Sequence, residues 1–448
     1  MQPSSPRRFW FDIEDLFEYS RTNSRPSGIQ RVAFEIQRAM LSSEAMEGRV
    51  GFLRHAVNGE RFLTVPWSQV LEIYERLSSS TASGHLETAA PLPASPSPLR
   101  RVALRLPPAM RVPLGQFLAH QTAALKAIPA LTSGTLSIAR QVVRQHVTGS
   151  DGSPFSPQPQ DVILALGAPW AHPDYGRLIQ HYRDHHDIRF GLLIHDIIPL
   201  LFPEWCSPGL PRVFKRWMTS VLPQCDQVFA VSDATRADLE RQFSGLAPRT
   251  IRIGTALPAT LTATGFSVPL PSRYVLSVGT FEARKNHLFL FRLWRRLLEN
   301  NTGAPIPTLI LAGSPGWLAD DLLQQIRNSN FLDGHLIIAR APSDAQLNTL
   351  YQQALFTMVP SLYEGWGLPV SESLARGKIC LASERGALSE AGQGLAIPFD
   401  PDNLEDALHK VREMAFDAAA LAEAERHVVG TFRPTGWTAA ALDIATSF

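Results

Sequence analysis

Two glutamates, Glu364 and Glu372, bracket a glycine-containing loop with the sequence EGWGLPVSE. The loop directly follows the apolar run LFTMVPS and leads into a helical pattern. Glycines allow backbone N–H groups to approach a ligand closely, and the N-terminus of a helix favours negative charge. Glutamates at this place are suited to accept hydrogen bonds from the hydroxyls of a sugar. An ordinary helix start with glutamate in its first turn is the alternative interpretation.

Two adjacent cations, Arg284 and Lys285, follow a second apolar run in the sequence RYVLSVGTFEARKN. Guanidinium and ammonium groups at the carboxyl end of a strand are suited to bind a diphosphate. Only five of the 42 basic residues are lysines, so a lysine within a motif is informative. A solvated pair of surface charges is the alternative.

Two positions in the first half of the chain could complete a site. Gly28 precedes apolar residues at helical spacing, so we expect it at a helix N-terminus, where backbone amides can contact phosphate. His195 ends the apolar run RFGLLIHD, where it could hydrogen-bond a sugar hydroxyl or stabilise developing charge. A simple helix cap and a structural histidine are the corresponding alternatives.

Apolar runs of strand length alternate with helical patterns over most of the chain, which is typical of parallel α/β sheets. The Pro- and Thr-rich stretch 255–273 separates two such series and is interpreted as a linker. We therefore predict two Rossmann-like, doubly wound domains that face each other across a cleft. They comprise residues 1–262 and 263–430, and residues 431–448 are expected to return to the first domain. The predicted strands are 161–167, 189–196, 227–232, 273–280, 307–313, 335–339, 355–361 and 378–383.

The composition excludes several classes of protein. With 42 basic and 41 acidic residues, no net field attracts nucleic acid. The three cysteines lack the C-x-x-C spacing of a zinc knuckle, and their odd number does not suit a disulfide framework. The most apolar stretch, GLLIHDIIPLLF, is interrupted by His195 and Asp196 and is too short to span a bilayer. We expect a soluble, cytoplasmic protein, with peripheral contact at the inner face of the plasma membrane as an open alternative.

Residues 78–160 have no counterpart in these patterns. Their first part is rich in serine and proline, as in a loop or a disordered segment. The segment 100–144 contains seven cations and no acid, and its cations alternate with apolar residues. It could contact an anionic bilayer. Alternatively, its arginines cover the surface of the first domain.

The spacing of Glu364 and Glu372 matches the E-x7-E motif of the retaining GT-B glycosyltransferases, and the phrase EGWGLPVSE resembles family four, which includes many mannosyltransferases. In that family the first glutamate lies beside the donor sugar, and the loop amides hold the sugar hydroxyls. The second glutamate binds the nucleotide ribose. The resemblance implies these donor-binding roles for Glu364, for Gly365, Trp366, Gly367 and Leu368, and for Glu372.

The segment around Arg284 and Lys285 resembles the phosphate-binding loop of the same family. Many relatives carry arginine where this chain has Thr280, so the guanidinium role passes to Arg284. Gly28 resembles the glycine of the N-domain loop, which contacts the donor phosphates, and His195 matches a histidine beside the donor sugar. The resemblance thus implies catalytic roles for His195, Glu364, Arg284 and Lys285.

The reaction that the resemblance implies is retaining transfer of a sugar from a nucleotide donor through an oxocarbenium-like state. We expect no metal and no cofactor, because cations and helix N-termini can replace a metal at the diphosphate. GDP-mannose is the first choice of donor, and UDP-, ADP- and dTDP-sugars stay open. The expected acceptor is a saccharide or a lipid-linked oligosaccharide in polysaccharide biosynthesis. A sugar-nucleotide epimerase of related fold and a catalytically idle nucleotide-sugar-binding module are the alternatives.

Overall fold

The computed structural model describes residues 7–56, 59–79, 84–89, 152–255, 266, 268–300 and 303–448, and the segment 100–144 lies outside them. Strands in these residues form two sheets, and we call the parts packed around them the first and second domains. The strands are β1 Phe9–Asp12, β2 Val50–His55, β3 Phe62–Val65, β4 His85–Glu87, β5 Ser153–Pro154, β6 Val162–Ala165, β7 Arg189–Ile194, β8 Gln227–Ala230, β9 Arg249–Thr250, β10 Tyr274–Val278, β11 Thr308–Gly313, β12 Leu336–Arg340, β13 Phe356–Val359, β14 Cys380–Ser383 and β15 Ile397–Phe399.

Helices connect most of these strands. They are α1 Glu14–Thr22, α2 Gly28–Leu41, α3 Trp67–Ser79, α4 Tyr175–His186, α5 Ile198–Leu201, α6 Leu210–Val221, α7 Asp233–Gln242, α8 His287–Glu299, α9 Asp320–Asn328, α10 Asn330–Asp333, α11 Asp344–Gln353, α12 Leu368–Leu374, α13 Leu388–Ala391, α14 Leu404–Phe416, α15 Ala418–Thr431 and α16 Trp437–Ala445. Single 3-10 turns are Glu44–Met46, Pro169–Ala171, Pro203–Trp205, Leu222–Gln224 and Ala283–Lys285. No helix in the described ranges is both long and apolar enough to cross a membrane.

The first sheet has the strand order β5-β3-β2-β1-β6-β7-β8-β9. Its pairs are parallel except β2 with β3 and β3 with β5, which are antiparallel. The chain moves from β1 outwards to β2 and β3, and then continues with β6 on the other side of β1. Open α/β sheets bind ligands at the carboxyl ends of the strands beside such a reversal.

The second sheet has the order β15-β14-β13-β10-β11-β12-β4, and all its pairs except β12 with β4 are parallel. The strand order reverses between β10 and β13. The loops after these two neighbouring strands carry the Arg-Lys pair and the first glutamate of the E-x7-E motif. The topology therefore brings together two segments that are about 80 residues apart in the sequence.

Strand β4 belongs to the second sheet although it lies far upstream of the other strands there. The side-chain amide of Gln346 holds both backbone groups of Gly84, at 3.1 Å to its N–H and 3.4 Å to its carbonyl. Glu87 pairs with Arg340 at the end of β12. An added Cβ at Gly84 would lie 2.7 Å from the Cα of Pro342, so only glycine fits at this approach. The first part of the chain thus supplies the edge strand of the second sheet.

Helix α8 shows how the sequence builds the layers around the second sheet. Its apolar residues Leu290, Leu293, Trp294 and Leu297 recur at helical spacing, and all are at most 2% exposed. Burial of each such side chain contributes about 1.5–3 kcal/mol. This packing fixes the loop that precedes the helix.

At the other end of the chain, α16 packs against α2 of the first domain.

All eight strands predicted from the sequence are present with shifted ends, which confirms the prediction of two parallel-dominated α/β sheets. Sequence analysis did not predict β1, β2 or β3. Their runs are FWFD, VGFLRH and FLTV, and the first two end in the polar residues Asp12 and His55. These polar residues lie at the carboxyl edge of the first sheet.

Candidate functional site

The loop 279–286 leaves the carboxyl end of β10 and is held rigidly. The amide of Phe281 donates to the segment after β11 at 2.9 Å. A 3-10 turn follows and ends at Asn286, which has a left-handed φ of 53°. Helix α8 begins at the next residue. Arg284 and Lys285 therefore project from a fixed turn beside the reversal point of the second sheet.

Glu364 lies where the loops after β10 and β13 meet, and its carboxylate bridges both cations. Arg284 Nη1 donates to Oε2 at 2.6 Å, and Lys285 Nζ donates to Oε1 at 2.5 Å. The Ser361 hydroxyl also donates to Oε1, at 2.7 Å. The second arm of Arg284 donates to Glu282 at 2.7 Å. Both glutamates are 6% exposed, so this network is largely shielded from water.

The network keeps these groups ionised. Burial alone would raise the pKa of Glu364, but the charges of Arg284 and Lys285 and hydrogen bonds from Lys285 and Ser361 outweigh it, and the pKa is about 2. Burial likewise opposes the charge of Arg284, but Glu364, Glu282 and Asp196 raise its pKa above the ordinary value. The glutamates thus orient the cationic donors, and oriented donors stabilise developing negative charge most effectively.

The loop that begins at Glu364 and leads into α12 packs closely and requires two glycines. An added Cβ at Gly365 would lie 2.0 Å from the carbonyl oxygen of His195, so only glycine allows the loop to touch this strand end of the first domain. The hydroxyl of Thr235 lies within hydrogen-bonding distance of both carbonyls, 3.2 Å from Gly365 and 3.3 Å from His195. Gly367 has a φ of 109°, a conformation that glycine adopts readily, and α12 begins at Leu368.

His195 lies at the carboxyl end of β7 and is half-buried. Its Nε2 donates to the carbonyl of Leu166 at 2.8 Å, which leaves Nδ1 as a hydrogen-bond acceptor. Burial lowers the pKa of His195 to about 4, so the ring is neutral at physiological pH. A neutral imidazole suits the predicted hydrogen bond to a sugar hydroxyl better than the predicted stabilisation of charge.

Glu372 lies on α12, apart from the two cations. It is 4% exposed, and the hydroxyl of Tyr351 donates to its Oε2 at 2.8 Å. Burial raises the pKa of Glu372, and the charge of Arg31 opposes this rise. Arg31 extends from α2 of the first domain and forms a two-pronged ion pair with Asp344, with 2.8 Å between Nη1 and Oδ2. Glu372 is therefore close to a charged contact between the domains.

Gly28 is the first residue of α2, as predicted from the helical spacing. An added Cβ at Gly28 would lie 3.4 Å from Cδ1 of Leu368, so the start of α2 touches the start of α12. Trp366 packs against the apolar clusters of both domains and lines a cavity of about 610 Å³ together with Ser371 and Glu390. Its buried Nε1 has no hydrogen-bond partner among the described residues. Contacts of these residues with a donor stay predictions.

Sequence analysis missed a polar group at the carboxyl ends of β1 and β2. Asp12 accepts a hydrogen bond from the hydroxyl of Tyr175 at 2.6 Å and pairs with Nε2 of His55 at 2.9 Å. Asp15 accepts from the amide of Ala168 at 3.1 Å. Burial, followed by the charge of Asp12, raises the pKa of Asp15 to about 6. Acids directly after the apolar run FWF were the signal, because polar residues at strand ends often line a binding cleft.

Comparison with known sequences indicates the family of the second domain. Residues 266–427 match the family model described as glycosyl transferases group 1. O-antigen chain mannosyltransferase B of Escherichia coli is 28% identical over 249 residues, which cover 53% of this chain and 65% of that protein. The GDP-mannose:cellobiosyl-diphosphopolyprenol alpha-mannosyltransferase of Komagataeibacter xylinus is 34% identical over 159 residues, 35% of this chain and 39% of that protein. The chain thus matches less than two thirds of the length of these relatives.

Two solved structures share the fold. Anabaena HepE, crystallised with UDP and glucose, superposes with a TM-score of 0.56 at 15% identity and covers 98% of this chain and 99% of its own. Sucrose-phosphate synthase from Thermosynechococcus elongatus has a TM-score of 0.51 at 20% identity over 64% of this chain and 72% of its own. At such identities the likeness concerns the fold alone. Residues 266–427 of the chain therefore form a glycosyl transferases group 1 domain, and the arrangement of the two sheets is the GT-B fold of these neighbours.

Proposed function

We propose that the protein is a retaining hexosyltransferase that moves mannose from GDP-mannose to a saccharide or a lipid-linked oligosaccharide in polysaccharide biosynthesis. The observation that carries this proposal is the buried network of Arg284, Lys285 and Glu364 at the reversal point of the second sheet. Its two cations match the charge of a leaving diphosphate. Its carboxylate can accept hydrogen bonds from the hydroxyls of the donor sugar.

The leaving diphosphate is stabilised by groups that are already in position. Glu364 and Glu282 orient Arg284, and Glu364 also orients Lys285. The amides at the start of α2, at Gly28, add the positive end of a 14-residue helix. Because these donors need little rearrangement when charge develops on the diphosphate, they favour the transition state.

The match of Glu364 and Glu372 to the E-x7-E motif of the retaining enzymes supports retention of configuration, and the acids near this network indicate by which route it occurs. Glu364 bridges two cations, and the carboxylate of Asp196 accepts a hydrogen bond from the amide of Ile198 at 3.0 Å. Burial raises the pKa of Asp196, which disfavours an ionised nucleophile. We therefore favour attack by the acceptor hydroxyl on the face that the diphosphate leaves. As the new C–O bond forms and the bond to phosphate breaks, the hydroxyl proton passes to a diphosphate oxygen.

The choice of donor and acceptor rests on the relatives. Several of them are mannosyltransferases, and the name of one specifies GDP-mannose and a cellobiosyl-diphosphopolyprenol acceptor. These names support mannose as the transferred sugar and a lipid-linked saccharide as the acceptor. A lipid-linked acceptor would require contact with a membrane surface, and the segment 100–144 remains the proposed place for it.

A donor panel tests this function. The protein is incubated with GDP-mannose and with UDP-, ADP- and dTDP-sugars, and release of nucleoside diphosphate is measured with and without lipid-linked cellobiose. We expect acceptor-dependent release from GDP-mannose and an α-linked product by NMR. Conversion of a sugar nucleotide to its epimer without an acceptor would instead indicate an epimerase. Binding of the donors without turnover would indicate an idle binding module, and a β-linked product would exclude retention.

A further inference from the structure

An exposed tryptophan, Trp317, lies beside the proposed diphosphate site. Its side chain is 43% exposed, and that of the next residue, Leu318, is 63% exposed. The indole N–H of Trp317 donates to the carbonyl oxygen of Trp205 at 2.5 Å. Because Trp205 follows β7 of the first domain and Trp317 follows β11 of the second, the two residues meet where the domains touch.

The backbone around Trp317 is fixed, so its exposure is not the result of a loose loop. The amide of Phe281 donates to the carbonyl of Ser314 at 2.9 Å, and the amide of Gly316 donates back to the carbonyl of Phe281 at 2.9 Å. An added Cβ at Gly316 would lie 2.7 Å from Thr280, so the segment is in close contact with the loop 279–286. The position of Trp317 is therefore tied to that of the cations in this loop.

A row of aromatic side chains connects this surface with the buried network. Trp205 stacks on Phe202, with 4.3 Å between ring centroids and 21° between planes. The ring of Phe202 packs beside that of Tyr363, with 5.2 Å between ring centroids. The carbonyl of Tyr363 accepts a hydrogen bond from Arg284 at 2.9 Å. The exposed surface is thus continuous with the site where the donor diphosphate is proposed to bind.

The charges around these tryptophans indicate the kind of ligand. The segments 202–209 and 314–321 contain no lysine or arginine, whereas Glu204, Asp320 and Asp321 are exposed there. Acids around an aromatic surface repel nucleic acid and anionic lipid. A pyranose ring has an apolar C–H face and a rim of hydroxyls. Aromatic faces pack against the first, and carboxylates accept hydrogen bonds from the second.

We propose that Trp205, Trp317 and Leu318 form a platform that binds a pyranose ring of the saccharide acceptor. The proposal rests on the proposed transferase function and adds the place and the mode of acceptor binding. A sugar ring on this platform lies beside the donor diphosphate site, as the geometry of transfer requires. Because the platform includes residues of both domains, it is complete only when the domains are in contact.

Saturation-transfer NMR with cellobiose and α-1,2-mannobiose as probes tests the platform in the full chain. We expect ring protons of at least one disaccharide to receive saturation from the wild-type protein. Trp317→Ala should weaken this binding about tenfold or more, because it removes the stacking surface. Trp317→Phe keeps an aromatic face and loses the hydrogen bond to Trp205, so it should retain most of the affinity. Phe416→Ala, which removes a 41% exposed aromatic residue elsewhere, is the matched control and should change nothing.

Several outcomes would overturn the platform. These are equal disaccharide binding by the wild type and Trp317→Ala, no binding by the wild type, and equal losses in Trp317→Ala and Trp317→Phe. If Trp317→Ala lost binding to phosphatidylcholine vesicles but kept its disaccharide binding, the surface would be assigned to lipid, and this would also refute the proposal. Thermal unfolding of each variant shows whether it is folded. Titration of the same samples with GDP tests the donor site separately, so failure of the proposed function is distinguishable from failure of the platform.

Discussion

Replacement of Glu364 by glutamine tests the electrostatics of the network most directly. The folded-state pKa of Glu364 is about 2, against an ordinary value of 4.5. At about 1.4 kcal/mol per unit, this difference corresponds to roughly 3 kcal/mol of stabilisation by the ionised carboxylate. Because the folded-state pKa is the lower one, this stabilisation is fully present above pH 4.5 and is lost as the pH falls towards 2.

Glu364→Gln should therefore lower the free energy of unfolding by roughly 3 kcal/mol at pH 7, because it removes the negative charge that Arg284 and Lys285 share, while the ion pair of Arg284 with Glu282 stays. The difference from wild type should shrink as the pH falls below 4.5. Chemical denaturation followed by circular dichroism at a series of pH values measures it. Glu405→Gln is the control, since Glu405 is exposed and lies 3.4 Å from Arg296 on the surface. A loss that is the same at every pH, or as small as that of the control, would refute the reasoning.

Three other changes examine separate parts of the site. Lys285→Ala should reduce turnover by about 100-fold or more, because it removes a preorganised hydrogen-bond donor. Lys410→Ala, which removes a surface ion pair, is the control and should leave turnover unchanged. Near-normal turnover of folded Lys285→Ala in a donor assay would contradict this prediction. Glu372→Ala should weaken nucleoside diphosphate binding by about 10- to 100-fold, and unchanged affinity in calorimetry would exclude the ribose contact. Asp15→Asn should flatten the pH dependence of the free energy of unfolding. Because burial raises the pKa of Asp15 to about 6, its protonated carboxyl stabilises the wild type fully below pH 3.8, and this stabilisation is lost as the pH rises through 6. If the unfolding temperatures of the wild type and of Asp15→Asn fell equally between pH 3.8 and pH 6, another group would be responsible for the pH dependence.

The strands that the sequence predicts well are those buried on both faces. Leu309, Ile310 and Leu311 in β11 are fully buried, and such apolar runs are visible without knowledge of their partners. Their ends locate the loops of Arg284 and Glu364, because ligand sites of these sheets lie at the carboxyl ends of strands. Strand β4 could not be predicted, since its three residues pair with a strand about 250 residues away in the sequence. Long-range pairing of so short a segment leaves no periodic signal.

The candidate site, like the fold, could be predicted from the sequence only in part. Sequence reasoning identified Arg284, Lys285 and Glu364 separately and assigned the cations to phosphate and the glutamate to sugar. The structure shows that they also contact one another, which depends on the side-chain directions of two loops. Asp15 and its raised pKa were missed for the same reason, because burial and the nearby Asp12 charge arise only when the chain is folded.

The origin of β4 affects how the protein can be divided into fragments. A fragment that begins at the linker contains the whole group 1 match at 266–427 but lacks residues 85–87, so the hydrogen-bonding edge of β12 is left open. Open edges of sheets pair with other chains and cause aggregation. The fragment also leaves Arg340 without Glu87 and Gln346 without Gly84. The region that sequence comparison delimits therefore lacks one strand of its sheet, and a fragment designed to fold alone should carry residues 84–89 as an appended strand.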